Sequence, residues 1–124
     1  MPIDVRVLEA RLADLPGAVV GYPFGLQPAV YTVAGKTFAM VAERREGAGV
    51  TLKSDPVLAE ALREAYPAIK PGYHTNKRHW NSILLDSELP EPVFWNMVQA
   101  SYELVRAALP KAVRDRLSHQ ESSA

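Results

Sequence analysis

Lys70-Pro71-Gly72-Tyr73-His74-Thr75-Asn76-Lys77-Arg78-His79-Trp80-Asn81-Ser82-Ile83-Leu84-Leu85-Asp86 is the stretch in which this chain concentrates its unusual chemistry. From Lys70 to His79 it holds three of the fourteen Lys and Arg residues, two of the three His and a Tyr, and no carboxylate appears before Asp86. The second half, Trp80 to Leu85, is apolar and reads as a strand that anchors the polar half in a core. With a polar turn at Asn76 and Lys77, the whole predicts a protruding hairpin, or wing, carried by an otherwise ordinary scaffold.

Just before the hairpin, Asp55 and Pro56 open a helix: Ser54 or Asp55 can cap it and proline is tolerated in its first turn. Val57, Leu58, Ala61, Leu62 and Ala65 make its expected buried stripe, and Tyr66-Pro67 ends it. Further upstream, Ala29 to Val33 and Lys36 to Glu43 are β-rich runs joined by Ala34-Gly35, a hairpin turn. Phe38, Met40 and Ala42 fall on one face of the second run, and Thr37, Ala39 and Val41 on the other. Arg44 to Gly49 reads as a charged loop before a strand from Val50 to Lys53. At the start, Val5, Leu8, Leu12 and Leu15 mark an amphipathic helix with Asp4 as its cap and Pro16-Gly17 as its stop. A short strand follows, with Val19, Val20 and Tyr22, before Pro23 and Gly25 break it.

Downstream, a long helix starts near Glu91 or Pro92. Phe94, Met97, Val98, Tyr102, Val105, Ala108 and Leu109 are its expected core face. Pro110 ends or kinks it, and Ala112 to Leu117 add a last turn. Residues 1–117 thus read as a single domain and 118–124 as a frayed polar tail. The order is helix, three or four strands, helix, two strands, helix. Short links between strands favour antiparallel pairing, so the expected class is a two-layer α+β sandwich.

At 124 residues, 48% hydrophobic and 23% charged, the chain is long and apolar enough to bury one core. With no cysteine, there is no disulfide, thiolate nucleophile or cysteine-based metal site. No run approaches the roughly 18 apolar residues of a membrane helix and the start does not read as a signal peptide, so the expected location is the cytoplasm. A formal net charge of zero argues against strong non-specific attraction to nucleic acid, so any such binding must be local or weak.

The hairpin residues suit nucleic acid. Lys70, Lys77 and Arg78 can meet phosphates, His74, Asn76 and His79 can hydrogen-bond bases or sugars, and Tyr73 or Trp80 can stack on an exposed base. Structural readings stand beside these: Trp80 as core, Asn76 as a turn residue, Lys77 and Arg78 as a solvated tip. His74 and His79, five residues apart, lack a helical His-x-x-x-His face, and no metal or cofactor is expected. No serine elbow, phosphate loop or dinucleotide fingerprint is present, so no catalytic residue is assigned. Tyr22-Pro23-Phe24-Gly25 reads either as a ligand-facing loop or as a packed turn, and Arg44-Arg45 either as a second wing or as a solvated turn.

Gly72-Tyr73-His74-Thr75-Asn76-Lys77-Arg78-His79-Trp80-Asn81 resembles the His-x-Asn-Lys-x-His-Trp-Asn signature of the MmcQ/YjbR family of small bacterial proteins. Here it is filled by His74, Asn76, Lys77, His79, Trp80 and Asn81. Tyr22-Pro23-Phe24-Gly25, Gly35-Lys36-Thr37-Phe38-Ala39 and Ser101-Tyr102-Glu103-Leu104-Val105 support the resemblance, which spans Tyr22 to Pro110. It implies a secretion-chaperone-like two-layer fold with an antiparallel sheet, and DNA binding of a double-wing type. Two expectations follow: a non-enzymatic DNA-binding protein using Lys70 to Asn81, or a module for a small ligand or protein partner whose pocket is lined by the same His, Asn and Trp residues. A third is an enzyme using His74 or His79 as acid or base.

Overall fold

The computed structural model describes residues 1–72 and 75–123. Tyr73 and His74, two of the residues expected at the hairpin, lie outside them. The elements in chain order are α1 (Val5–Ala13), β1 (Ala18–Gly21), β2 (Ala29–Val33), β3 (Lys36–Arg44), β4 (Gly47–Lys53), α2 (Pro56–Ala65), β5 (Ile69–Pro71), β6 (Trp80–Leu84), α3 (Glu91–Ala107) and α4 (Lys111–Ser123). The strands form a single six-stranded sheet in the order β1-β2-β3-β4-β6-β5, every pairing antiparallel. Helix α3 crosses the middle of the sheet on β2, β3 and β4, α1 packs on β1, and α2 on β5 and β6. This is the two-layer α+β architecture that the element order implies.

The core lies between the layers. Tyr31, Val33, Phe38, Ala39, Val41, Val50, Leu52 and Ile83 from the sheet meet Leu8 and Leu12 of α1 and Phe94, Met97, Val98, Tyr102 and Val105 of α3. Phe38 and Tyr102 meet edge to face, with ring centroids 5.3 Å apart. Ser101, fully buried on α3, joins the layers by polar contacts: its hydroxyl donates to the Phe38 carbonyl at 2.6 Å and accepts from the Lys53 amide at 2.8 Å. Asp4 and Asp55 cap α1 and α2 as expected, accepting from the amides of Arg6 and Val57.

Five details differ from the sequence reading. A register shift between Tyr31 and Thr32 places Phe38 beside Ala39 and Val41 in the core, leaving Met40 and Ala42 on the opposite face. The charged loop after β3 contracts to Arg45-Glu46, because Arg44 pairs directly with Gly47, whose φ of 125° only glycine adopts readily. On α2 the inward stripe is Ala59, Leu62, Arg63 and Tyr66, while Val57 and Leu58 face solvent. Ala108, expected on the core face of the long helix, caps the end of α3 and is exposed. The tail expected to fray instead continues α4 to Ser123, held by the Arg106 guanidinium, which pairs with Glu121 and donates to Ser118. Leu117 of α4 is buried over Gly17, where any Cβ would collide with it.

The two sheet edges are unlike. At one, β5 carries Lys70 and Pro71. At the other, β1 has neither charge nor proline and exposes Val19 and Val20.

Candidate functional site

All the sheet-packing helices lie on one face of the sheet, so the pleat decides what the other face presents. The pairings Gly21↔Val30, Val30↔Met40, Met40↔Thr51, Thr51↔Ser82 and Ser82↔Lys70 run as one row across that second face. Trp80, cross-strand partner of Lys53, and Arg44, two pleats beyond Met40, share it. Thr51 and Ser82 join their hydroxyls at 2.7 Å in the middle of the row.

Over this face lies a groove of about 750 Å³. Val30, Met40, Ala42 and Thr51 form its floor; Pro23, Phe24, Gln27 and Pro28 form one wall, and Thr75, Asn76 and Trp80 the other. The first wall is the loop after β1, held to β3 because the Gln27 side-chain oxygen accepts from the Glu43 amide at 2.9 Å. Tyr22 and Phe24 in this loop are exposed, Phe24 at 74%, which rules out the packed-turn reading. The second wall is built from Thr75 and Asn76, between β5 and β6, and from Trp80 at the start of β6. Gly72 donates to the Trp80 carbonyl at 2.8 Å, and a Cβ on Gly72 would strike Thr75 Oγ1 and Trp80 Cβ. The side chain of Asn76 accepts from the Arg78 amide at 3.0 Å, an Asx turn, and its carbonyl accepts from the His79 amide.

The expected site residues therefore separate. Asn76 and Trp80 line the groove. Lys70 and Arg78 are exposed, and Lys70 borders a second, smaller depression with Arg44. Lys77 is also exposed, but its ammonium turns back to the Gly72 carbonyl at 3.0 Å, so it closes the loop. His79 is half-buried and takes no part in the lining; its carbonyl accepts from the Ser54 amide at 2.7 Å. Asn81 is fully buried in the helix layer, accepting from Arg63 at 2.8 Å and donating to the Ala59 carbonyl at 3.3 Å, so its amide positions the hairpin. Tyr73 and His74 lie outside the described residues.

Arg63 escaped the sequence reading. Its guanidinium reaches both Asn81 and the Lys77 carbonyl, which explains a charged residue on the inner side of α2. Gln27, Met40 and Thr75 were missed as well, because nothing in a lone polar or apolar residue reveals which face of a sheet it joins. Among the described residues no cluster of His, Asp or Glu could hold a metal ion, and no helix is long and apolar enough to cross a membrane.

A single antiparallel sheet, helices on one face and a loop-walled groove on the other define a small α+β fold in which the described helices cover one sheet face. Residues 13–104 match the family model described as YjbR, and the chain belongs to that family. It is similar to the uncharacterised protein YbdF of Escherichia coli O157:H7, with 37% identity over 86% of this chain and 88% of the relative. It also resembles the uncharacterised YjbR of Escherichia coli K12, with 40% identity over 64% of this chain and 68% of the relative. The crystal structure of Deinococcus radiodurans DR2400 superposes with a TM-score of 0.86 at 31% identity, covering 94% of this chain and 89% of that one. A Pseudomonas syringae structure shares the fold at a TM-score of 0.74 and 21% identity, covering 83% and 99% of the two chains.

Proposed function

We propose that the chain is a non-enzymatic binding module that receives a ligand in the groove between the 22–28 loop and the wall of Thr75, Asn76 and Trp80. The observation that carries this reading is Phe24: an aromatic side chain that lines a concave, largely apolar groove and yet is 74% exposed is poised to gain from an occupant. A volume of about 750 Å³ also lies within the range of small-molecule sites. The test is a small-molecule thermal-shift screen with Ala42→Trp, which fills the floor without touching the core. Hits that stabilise the parent and not the variant support the groove; hits that act equally on both overturn it.

A second reading, DNA binding by the hairpin, draws on the exposed Lys70 and Arg78 beside that wall. It predicts anisotropy-detected binding to labelled DNA that weakens between about 50 and 200 mM salt and is lost in the Lys70→Ala/Arg78→Ala double variant. Absence of binding at the lower salt rejects it.

A further inference from the structure

The chemistry of the groove narrows its occupant, an inference that rests on the binding reading above. Its broad surfaces are flat and apolar: Pro23, Phe24 and Pro28 on one wall, Trp80 on the other, and Val30, Met40 and Ala42 beneath. Flat apolar walls suit a ring better than a branched aliphatic chain.

The polar groups among them are biased towards donors. Gln27 and Asn76 each use the side-chain oxygen on a backbone amide, of Glu43 and Arg78 respectively. These contacts fix both amide orientations and leave the NH₂ ends, which can only donate. Thr75 adds a buried hydroxyl with no hydrogen-bond partner among the described residues. Thr51 is already engaged by Ser82. The two amide ends favour a ligand that carries acceptors, and the Thr37 hydroxyl on the floor can either donate or accept.

The charges on this face lean the same way. Arg44 stands in the pleat phase of Met40 and Ala42, at the junction of the groove and the smaller depression, where Lys70 joins it. Lys53, paired with Trp80, holds its ammonium 6.0 Å from the indole centroid. Of the nearby carboxylates, Glu46 borders the smaller depression, and Glu43 lines the groove, although strand alternation sends its side chain to the opposite face. The chain as a whole is neutral, so this positive lean is local.

We infer that the groove takes a flat ring bearing an anionic group, the ring lying between Phe24 and Trp80 and the charge directed to Arg44 and Lys70. Aryl carboxylates and nucleoside monophosphates share this chemistry.

Tryptophan supplies the readout. The chain has two, and Trp95 sits in the helix layer under Arg11, 4.4 Å from its ring, with its indole N–H directed to Glu91. Its indole resonance is an internal reference for that of Trp80. The experiment titrates 2-naphthoate, neutral 2-naphthamide and cationic 2-naphthylmethylammonium, and separately AMP against adenosine, while both indole N–H signals are followed by NMR. The expected result is movement of the Trp80 signal alone. The naphthoate should bind roughly tenfold more tightly than the amide, and the cation most weakly. That preference should fall with added salt and vanish in Arg44→Gln/Lys70→Gln. AMP bound more tightly than adenosine, and more tightly than naphthoate, would assign the nucleotide as the source; the reverse order would assign the aryl acid.

Equal binding of naphthoate and naphthamide, both lost in Ala42→Trp, overturns the anion inference and leaves the groove reading standing. Movement of Trp95, or binding unaffected by Ala42→Trp, overturns both. A Met40→Glu variant guards against a misfolded Ala42→Trp: with its melting temperature intact, it should weaken naphthoate more than naphthamide, and equal weakening of the two counts against the inference.

Discussion

Asn81 shows how a residue conspicuous in sequence can serve the site from behind it. Beside Trp80 it reads as one more polar group of the hairpin, yet the strand alternation that sends Trp80 to the groove sends Asn81 into the helix layer. There it ties β6 to α2 through Ala59 and Arg63. Asn81→Ala would remove the second hydrogen bond to the Ala59 carbonyl and take the side-chain acceptor from the guanidinium that also holds the Lys77 carbonyl, at a cost of about 1–3 kcal/mol. Urea unfolding should show this as a lower midpoint with an unchanged slope. An unchanged midpoint would mean that water replaces both contacts. The residue types at the hairpin were legible in the sequence; their directions were not, since a slip of one position exchanges the faces of a strand.

Among the elements, the turns and caps were the most readable and the helix faces the least. Ala34-Gly35 was expected to turn a hairpin, and both residues have positive φ, 49° and 80°. That is the backbone of a tight primed turn, which alanine adopts at a penalty of roughly 1 kcal/mol. Ala34→Gly should therefore raise stability by up to about 1 kcal/mol, offset in part by the greater freedom of glycine in the unfolded chain. Calorimetry would read a higher melting temperature, and a lower one would show that the alanine is not strained. The stripe on α2 was misplaced for a physical reason. Apolar periodicity finds the side that can be buried, whereas this helix turns Arg63 inward to hold a loop and leaves Val57, 79% exposed, in solvent. The bulge between β2 and β3 has no signature of its own, and it alone decides that Phe38 is core and Met40 is groove.

For the molecule as a whole, composition bounded the answer to a neutral chain able to bury one core, the order of elements pointed to an α+β fold, and the structure adds a division of labour between the two sheet faces. One face is covered by helices and supplies stability; the other carries the groove. Two tyrosines of the covered layer mark its limits at high pH. Burial, and then the Glu9 carboxylate that accepts from its hydroxyl, push Tyr31 up, and burial also raises Tyr102. A phenol whose folded pKa lies above the unfolded value of about 10 keeps its proton in the folded state while the unfolded chain releases it. Their contribution is therefore complete below about pH 10 and lost as pH rises beyond it. Stability measured between about pH 9 and 11 should decline, and Tyr31→Phe should reduce that slope; an identical slope in the variant would assign the decline elsewhere.

The unlike edges of the sheet set a rule for self-association. Lys70 and Pro71 discourage strand addition at β5, so a neighbouring strand that extends this sheet has to arrive at β1. When two copies meet there, each has consumed its single receptive end and the ends left outermost are the discouraging ones. Growth by this route terminates at a pair: a chain with one receptive end can dimerise by strand addition but cannot propagate as a fibre.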